Sequence, residues 1–401
     1  MSILTLPGLI DPHVHLRDPG QTHKEDFYTG TCAALNGGYT TILDMPNNKI
    51  PITNLARLDK KIKIAKKKIV CDVGFYFGSL GDNLTEFKKV QKKVLGLKLY
   101  LNQTTGNFAI DKKMFERIFR SWADTQSISL HSNILWTKPI LVHAEDRMLN
   151  VVIKLVEKYK NKVHICHIST ISDLKQIILA KENNLPITCG VTPHHLFLEE
   201  FDVKTLGPFG KMKPPLRTKK DQDFLWKNLK YIDVVESDHA PHTKDEKFEK
   251  MEAGDASGGG QRSASAFAAS KARLAGAPLD ERAAGPAKSS VPFGVPGLET
   301  TLPLLLTAVS ENRLSIDDIV RLCHRNPANI FGIKTDLRTK IEINIHKSYI
   351  INPKSFFIKC HWSPFDGWKV KGKVKRVFIR GTKVFENDKI LVKPGFARVL
   401  I

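Results

Sequence analysis

The stretch GLIDPHVHLRDPG, residues 8–20, places His13 and His15 one residue apart at the end of an apolar run and follows them at once with Arg17 and Asp18. Residues i and i+2 of a β-strand point to the same face, so this spacing makes a two-nitrogen claw for a metal ion. An H-x-H pair alone serves a packed core equally well, and its meaning depends on what other strand ends bring to it. GLKLYL puts Lys98 inside a run that should be buried on both faces, a location hostile to an ammonium ion. It reads either as a lysine snorkelling from a strand end or as one carboxylated by CO2, whose carbamate is an anionic oxygen ligand able to bridge two metal ions. PILVHAED ends a run in His143, KVHICHIST in His167 and IDVVESDHAPHT in Asp238. Singly, each reads as a satisfied core histidine or a helix-capping aspartate. Together, four histidines, one lysine and one aspartate at strand termini point to a metal centre.

Those residues need a scaffold that brings distant strand ends to one place. Eight short apolar, β-branched runs alternate with helical-period segments: Leu9–His15, Tyr39–Met45, Val70–Phe77, Gly96–Leu101, Pro139–Ala144, Lys162–Ile168, Pro186–Thr192 and Ile232–Asp238. That alternation implies βα units and a parallel sheet, and eight of them imply an α/β fold, a (β/α)8 TIM-type barrel. Barrel enzymes keep their sites at the C-terminal strand ends, where every residue named above falls. Helices are expected at Asp173–Asn184 and, after Pro296, in two further segments, the second opened by Ser315 with Asp318 at the capping-box distance. The barrel is assigned to residues 1–338. From Thr339 the texture changes to short alternating strands with hairpin signals at RGT and END, a small β module over 339–401. Residues 252–290 are rich in Ala, Gly and Ser and contain neither Ile nor Asn, so they are read as an atypical insertion, flexible and outside the fold.

The chain has 401 residues, 42% hydrophobic and 26% charged, enough for a large core. Its formal charge of +21 raises the question of nucleic acid, but the lysines are scattered. The densest run, Leu58–Val70, reads as one solvated helix face. No RNA- or DNA-binding signature accompanies the charge. Six cysteines lie far apart without a C-x-x-C pair, which implies reduced thiols. No secretory signal and no apolar run of membrane-spanning length is found, so a soluble cytoplasmic protein is expected.

The ordered set H-x-H, K, H, H, D resembles the amidohydrolase superfamily. More narrowly, GLIDPHVHLRDPGQTHKEDF, DMPN, GLKLYLNQT, VHAED, VHICHIS, TPHHLFL, SDHAPHT and GVPGLETTLPLLLTAVSENRLS are similar to the dihydroorotases, especially the type fused into animal pyrimidine-synthesis polypeptides. The likeness runs from residue 7 to beyond 390. It implies reversible cyclisation of N-carbamoyl-L-aspartate to L-dihydroorotate in pyrimidine biosynthesis. It also implies two Zn²⁺, one on His13, His15 and Asp238 and the other on His143 and His167, bridged by carboxylated Lys98 and a hydroxide. Asp238 would then move the proton between hydroxide and ring nitrogen. Arg17, whose planar fork suits a carboxylate, would anchor the substrate with Asn47 and His242. Thr104, in the loop Asn102–Ala109 over the mouth, would touch it from above. A homodimer and an association with aspartate transcarbamoylase are the partners the likeness suggests.

The chain departs from that pattern in places. Animal members carry a Glu at the position of Gly190, associated with an additional metal together with the cysteine matching Cys166; with glycine here, two metals are expected. Lys213 stands where the family has Asn in KMNPPLR. His194 and His195 read as helix-start residues behind the site, and His164, His324, His346 and His361 as structural or exposed. Two other readings remain. Another cyclic amidohydrolase, a dihydropyrimidinase, hydantoinase or allantoinase, would share the metal set but lack the Arg–Asn anchor. A catalytically silent scaffold would have lost metal ligands.

Overall fold

The computed structural model describes residues 3–101, 112–125, 138–248 and 291–401. The eight expected runs form one parallel sheet, in chain order, of β2 (Leu9–Val14), β3 (Tyr39–Asp44), β4 (Asp72–Gly78), β5 (Gly96–Tyr100), β6 (Ile140–His143), β7 (Val163–Ile165), β8 (Ile187–Val191) and β9 (Val234–Val235). A parallel bridge between Val14 and His239, with the His15 amide donating to the His239 carbonyl at 2.8 Å, joins the ends of the first and last of these strands and closes the barrel. β2 to β6 are buried at every residue, the property that left their periodicity short and apolar rather than alternating.

Local chemistry fixes the connecting helices. Asp26 caps helix Phe27–Asn36 by accepting from the amides of Tyr28 and Thr29, and Phe27 then packs edge-on against Phe75 of β4, ring centres 5.9 Å apart. Thr170 caps Ile171–Glu182, the helix expected from 173 to 184. Ser315 and Asp318 make the anticipated reciprocal capping box at the start of Ile316–Val320. In helix Leu55–Ala65, most lysines face solvent as expected, but Lys61 is buried. Its ammonium pairs with Asp44 at 2.7 Å and donates to the Met45 carbonyl and Asn48 Oδ1, each at 2.8 Å. This ties down the DMPN turn that follows β3.

The β module is a five-stranded antiparallel sheet in the order β1 (Ile3–Pro7), β10 (Lys340–Ile350), β11 (Lys369–Ile379), β12 (Thr382–Glu386) and β13 (Lys389–Ile390). The two hairpins sit where expected, and Asn387 and Asp388 both take the left-handed backbone that a tight two-residue turn requires. The amino-terminal strand β1 belongs to this module and pairs with β10, so the barrel's own strands begin at Leu9. Nothing local marks β1 as separate from β2, because its partner lies more than 300 residues away. All six cysteines are buried and free. Among the described residues no helix is long and apolar enough to cross a membrane.

Candidate metal centre

At the C-terminal rim of the barrel the six expected donors converge. The imidazole rings of His13, His15, His143 and His167 form one continuous cluster. Ring centres are 5.3 Å apart for His13–His15, 5.2 Å for His13–His167 and 4.6 Å for His143–His167. Lys98, fully buried on β5, points into the same space: its Nζ lies 3.0 Å from Cys166 Sγ and 5.0 Å from the centre of the Tyr100 ring. Asp238 closes the group, with Oδ1 3.1 Å from His15 Nε2 and 3.3 Å from His13 Nε2. Three residues of the site, Arg17, His167 and Asp238, hold left-handed backbone conformations with φ of 61°, 39° and 43°. Each costs about 1–3 kcal/mol in a non-glycine residue, so the surrounding fold is holding these side chains where the local chain would not.

The electrostatics define what is missing from the cluster. Burial pulls the pKa of His15 down to about 4 and lowers those of His143 and His167, so these three rings are neutral with free lone pairs at neutral pH. His15 Nδ1 is 2.7 Å from Asn47 Oδ1 and therefore carries the proton, which leaves the Nε2 lone pair facing the Asp238 carboxylate. Two acceptors 3.1 Å apart repel unless a cation lies between them. Burial and Lys98 oppose a proton on His13, but Asp238 and Glu236 outweigh them and push its pKa up to about 10. Burial favours protonated Asp238, yet His13 and His15 hold its carboxyl well below the usual range. His167 Nδ1 is buried without a hydrogen-bond partner. Among the described residues, His13, His15 and Asp238 form one group with metal-ligand spacing, and His13, Cys166 and Glu236 form another. The donor set is mixed nitrogen and oxygen, suited to zinc.

Beside the donors lies a buried cationic group. Arg17 and His242 are both buried. His242 Nδ1 accepts from Lys24 Nζ at 3.2 Å and its Nε2–H donates to the Phe293 carbonyl at 2.9 Å, which sets the tautomer. The Arg17 Nη2 group, 3.2 Å from His242 Nε2, thus faces a second donor. Burial and the Arg17 charge hold the His242 pKa down at about 3. Arg17 does not pair with Asp18 or Glu25: its Nε donates to the Pro241 carbonyl, while Asp18 braces its loop through Lys68 at 2.6 Å. Arg17 and the donors share one cavity of about 50 Å³, lined by His13, His15, Arg17, Asn47, His143 and Asp238, among others. Thr104 and the loop Asn102–Ala109 lie outside the described residues, as does the segment 252–290.

Several participants escaped sequence reasoning. Glu145 accepts from His143 Nε2 at 3.1 Å and is clasped by Lys213 at 3.2 Å and Arg217 at 3.1 Å. Burial works to raise its pKa, but His143 and Lys213 hold it at about 2. Lys213, the departure from the family's asparagine, is thus spent on a carboxylate that orients a site histidine. Glu236 faces His13 Nδ1 at 3.3 Å. Each is two residues from an expected ligand, the i, i+2 spacing that would have flagged both. His194 is buried at the start of helix Pro193–Phe197, and His195 there bonds Thr192 and the Pro214 carbonyl, the supporting places expected of them. His164 is buried against Thr188 and Glu236, and His324 meets the Gly8 carbonyl.

Comparison with known proteins identifies the family. Residues 4–186 match the amidohydrolase family. The multifunctional protein CAD of Squalus acanthias is 37% identical over 99% of this chain, which spans only 16% of that protein's length. The dihydroorotase of Pyrococcus horikoshii is 36% identical, with 99% of this chain and 84% of that one covered. The L-hydantoinase of Arthrobacter aurescens superposes with a TM-score of 0.83 over 99% of this chain and 88% of its own, at 24% identity, which shows a shared fold. The chain belongs to the dihydroorotases of the amidohydrolase family.

Proposed function

We propose that the chain is a dihydroorotase, interconverting N-carbamoyl-L-aspartate and L-dihydroorotate with two zinc ions held by His13, His15, His143, His167, Asp238 and the carbamate of Lys98. One observation carries this reading: four histidines and the aspartate of the metal-donor cluster line the same small cavity as Arg17 and Asn47. A cyclic amide with a free carboxylate meets both at once. Bound divalent cations supply an electrophile that polarises the amide carbonyl and acidifies water.

This chain's residues supply the rest. Arg17 and His242 grip the carboxylate, and Asn47, whose Oδ1 is engaged by His15, offers its Nδ2 protons to the same group. That fixes the ring with its amide over Asp238. In the hydrolytic direction, water oxygen bonds to the ring carbonyl carbon as Asp238 takes its proton. The carbon–nitrogen bond then breaks, and Asp238 returns the proton to the departing nitrogen. Ring closure is the reverse, with loss of water. Glu145 holds His143 through Nε2, and Asn47 holds His15 through Nδ1, so neither ring rotates during the cycle. The pyrimidine pathway, a cytoplasmic location, a homodimer and association with aspartate transcarbamoylase complete the reading on the family resemblance.

Turnover of L-dihydroorotate compared with dihydrouracil and hydantoin tests it. Dihydroorotate is expected to be preferred, and the preference should disappear in Arg17→Gln. A wild-type protein that hydrolyses hydantoin or dihydrouracil faster than dihydroorotate would instead make the chain a hydantoinase-type enzyme.

A further inference from the structure

Gly190 and Glu236 occupy one volume from two adjacent strands. A Cβ placed on Gly190 of β8 would fall 2.5 Å from Glu236 Oε1 and 2.6 Å from its Cδ, closer than any real contact. The carboxylate therefore needs glycine at 190, and from that position it reaches two residues of the metal centre and His164 behind them. Its Oε2 lies 3.3 Å from His13 Nδ1 and 3.5 Å from His164 Nε2, and its Oε1 accepts from the His167 amide. It is fully buried.

We infer that Glu236 is a positioning residue which fixes the tautomer of His13 and the backbone of His167, and that Gly190 exists to make room for it. This inference rests on the metal centre proposed above. With its Nδ1 proton directed at Glu236, His13 can present only the Nε2 lone pair to the cavity, toward Asp238. His15 is held in the same sense, but by the neutral amide oxygen of Asn47. Each ring thus has its Nδ1 engaged by an oxygen outside the cavity, His13 by a carboxylate at 3.3 Å and His15 by an amide at 2.7 Å. At His167, whose backbone is left-handed, the Glu236 bond to its amide supplies one of the contacts that a strained residue requires.

The geometry supplies its own reciprocal test, because an aspartate on residue 190 would carry an oxygen at about the place now held by Glu236 Oε1. Wild type, Glu236→Gln, Glu236→Ala and the transplant Gly190→Asp/Glu236→Ala are compared as full-length proteins for zinc per chain, zinc release into a chelator, and imidazole ¹⁵N spectra of the zinc-loaded forms. Glu236→Ala is expected to release zinc about 10–100-fold faster and to lose the single Nδ1–H tautomer of His13. Glu236→Gln should fall between, and the transplant should recover retention to within a few-fold of wild type. If Glu236→Ala does not fold, the glutamine variant and the transplant carry the comparison. Release rates and spectra unchanged in Glu236→Gln and in the transplant's alanine parent would overturn the inference. So would a wild type holding three cations of which the glutamine variant loses one, since Glu236 would then be a ligand. Retention that follows these variants in a protein inert toward dihydroorotate would leave the inference standing and remove the substrate assignment instead.

Discussion

The two ends of the barrel differ in a way that separates a site from a space. The N-terminal end, between the barrel and the β module, encloses about 320 Å³, lined by Gly8, Thr40, Asp72, His324, Arg380 and Leu400, among others. The C-terminal rim encloses about 50 Å³. Yet at the larger cavity Asp72 accepts the Arg398 amide at 2.8 Å and pairs with the Arg380 guanidinium, and His324 Nδ1–H donates to the Gly8 carbonyl at 2.8 Å. At the smaller one, acceptor faces acceptor at His15 and Asp238, donor faces donor at Arg17 and His242, and His167 Nδ1 is orphaned. Polar groups that satisfy one another hold a fold together; convergent groups that do not are waiting for a ligand.

Substitutions at the two ends should therefore move different observables. The largest effect is expected at the rim, where Asp238→Asn should lower kcat at least about 10³-fold while leaving the melting temperature close to wild type, measured by dihydroorotate hydrolysis and calorimetry. Next, Arg17→Gln should cut kcat/KM by about 10²–10³-fold, chiefly through KM, because a buried receptor loses its charge. At the opposite end, Asp72→Ala strands the Arg380 guanidinium and should cost about 3 kcal/mol in denaturant unfolding, with kcat unchanged for the folded fraction. A reversal, with kcat falling at Asp72 and stability at Asp238, would break the distinction.

The smallest effect concerns Glu299, which lies between barrel and module. It is buried, and accepts from Asn36 Nδ2 at 2.6 Å and from the amides of Phe357 at 3.0 Å and Ile358 at 3.3 Å. Burial nevertheless pushes its pKa up to about 8. Between its unfolded value and about 8 the folded chain holds a proton that the unfolded chain has released, so stability falls as pH rises through that window. Unfolding midpoints at pH 6 and pH 9 should show this loss in wild type and a smaller one in Glu299→Gln; equal slopes would contradict the assignment.

Much of this was legible before any coordinates. Eight runs buried on both faces announce a parallel barrel, and donors at strand ends announce a rim. What stayed hidden depends on partners that no local pattern encodes. Lys61 sits in a lysine-rich helix and looks like its solvated neighbours; only the approach of Asp44 gives it a reason to be buried. β1 and β10 meet across the length of the chain. Gly190, read alone, is a lost carboxylate; the fold shows the Glu236 carboxylate, just past the end of the next strand, filling the space beside it. The mouth loop with Thr104 falls outside the described residues.

Zinc content measured alongside dihydroorotate turnover, before chelation, after it and after zinc is restored, tests the central claim most directly. About two equivalents per chain are expected, with activity lost as they leave and regained as they return. Full turnover by a chain stripped of metal would contradict the account.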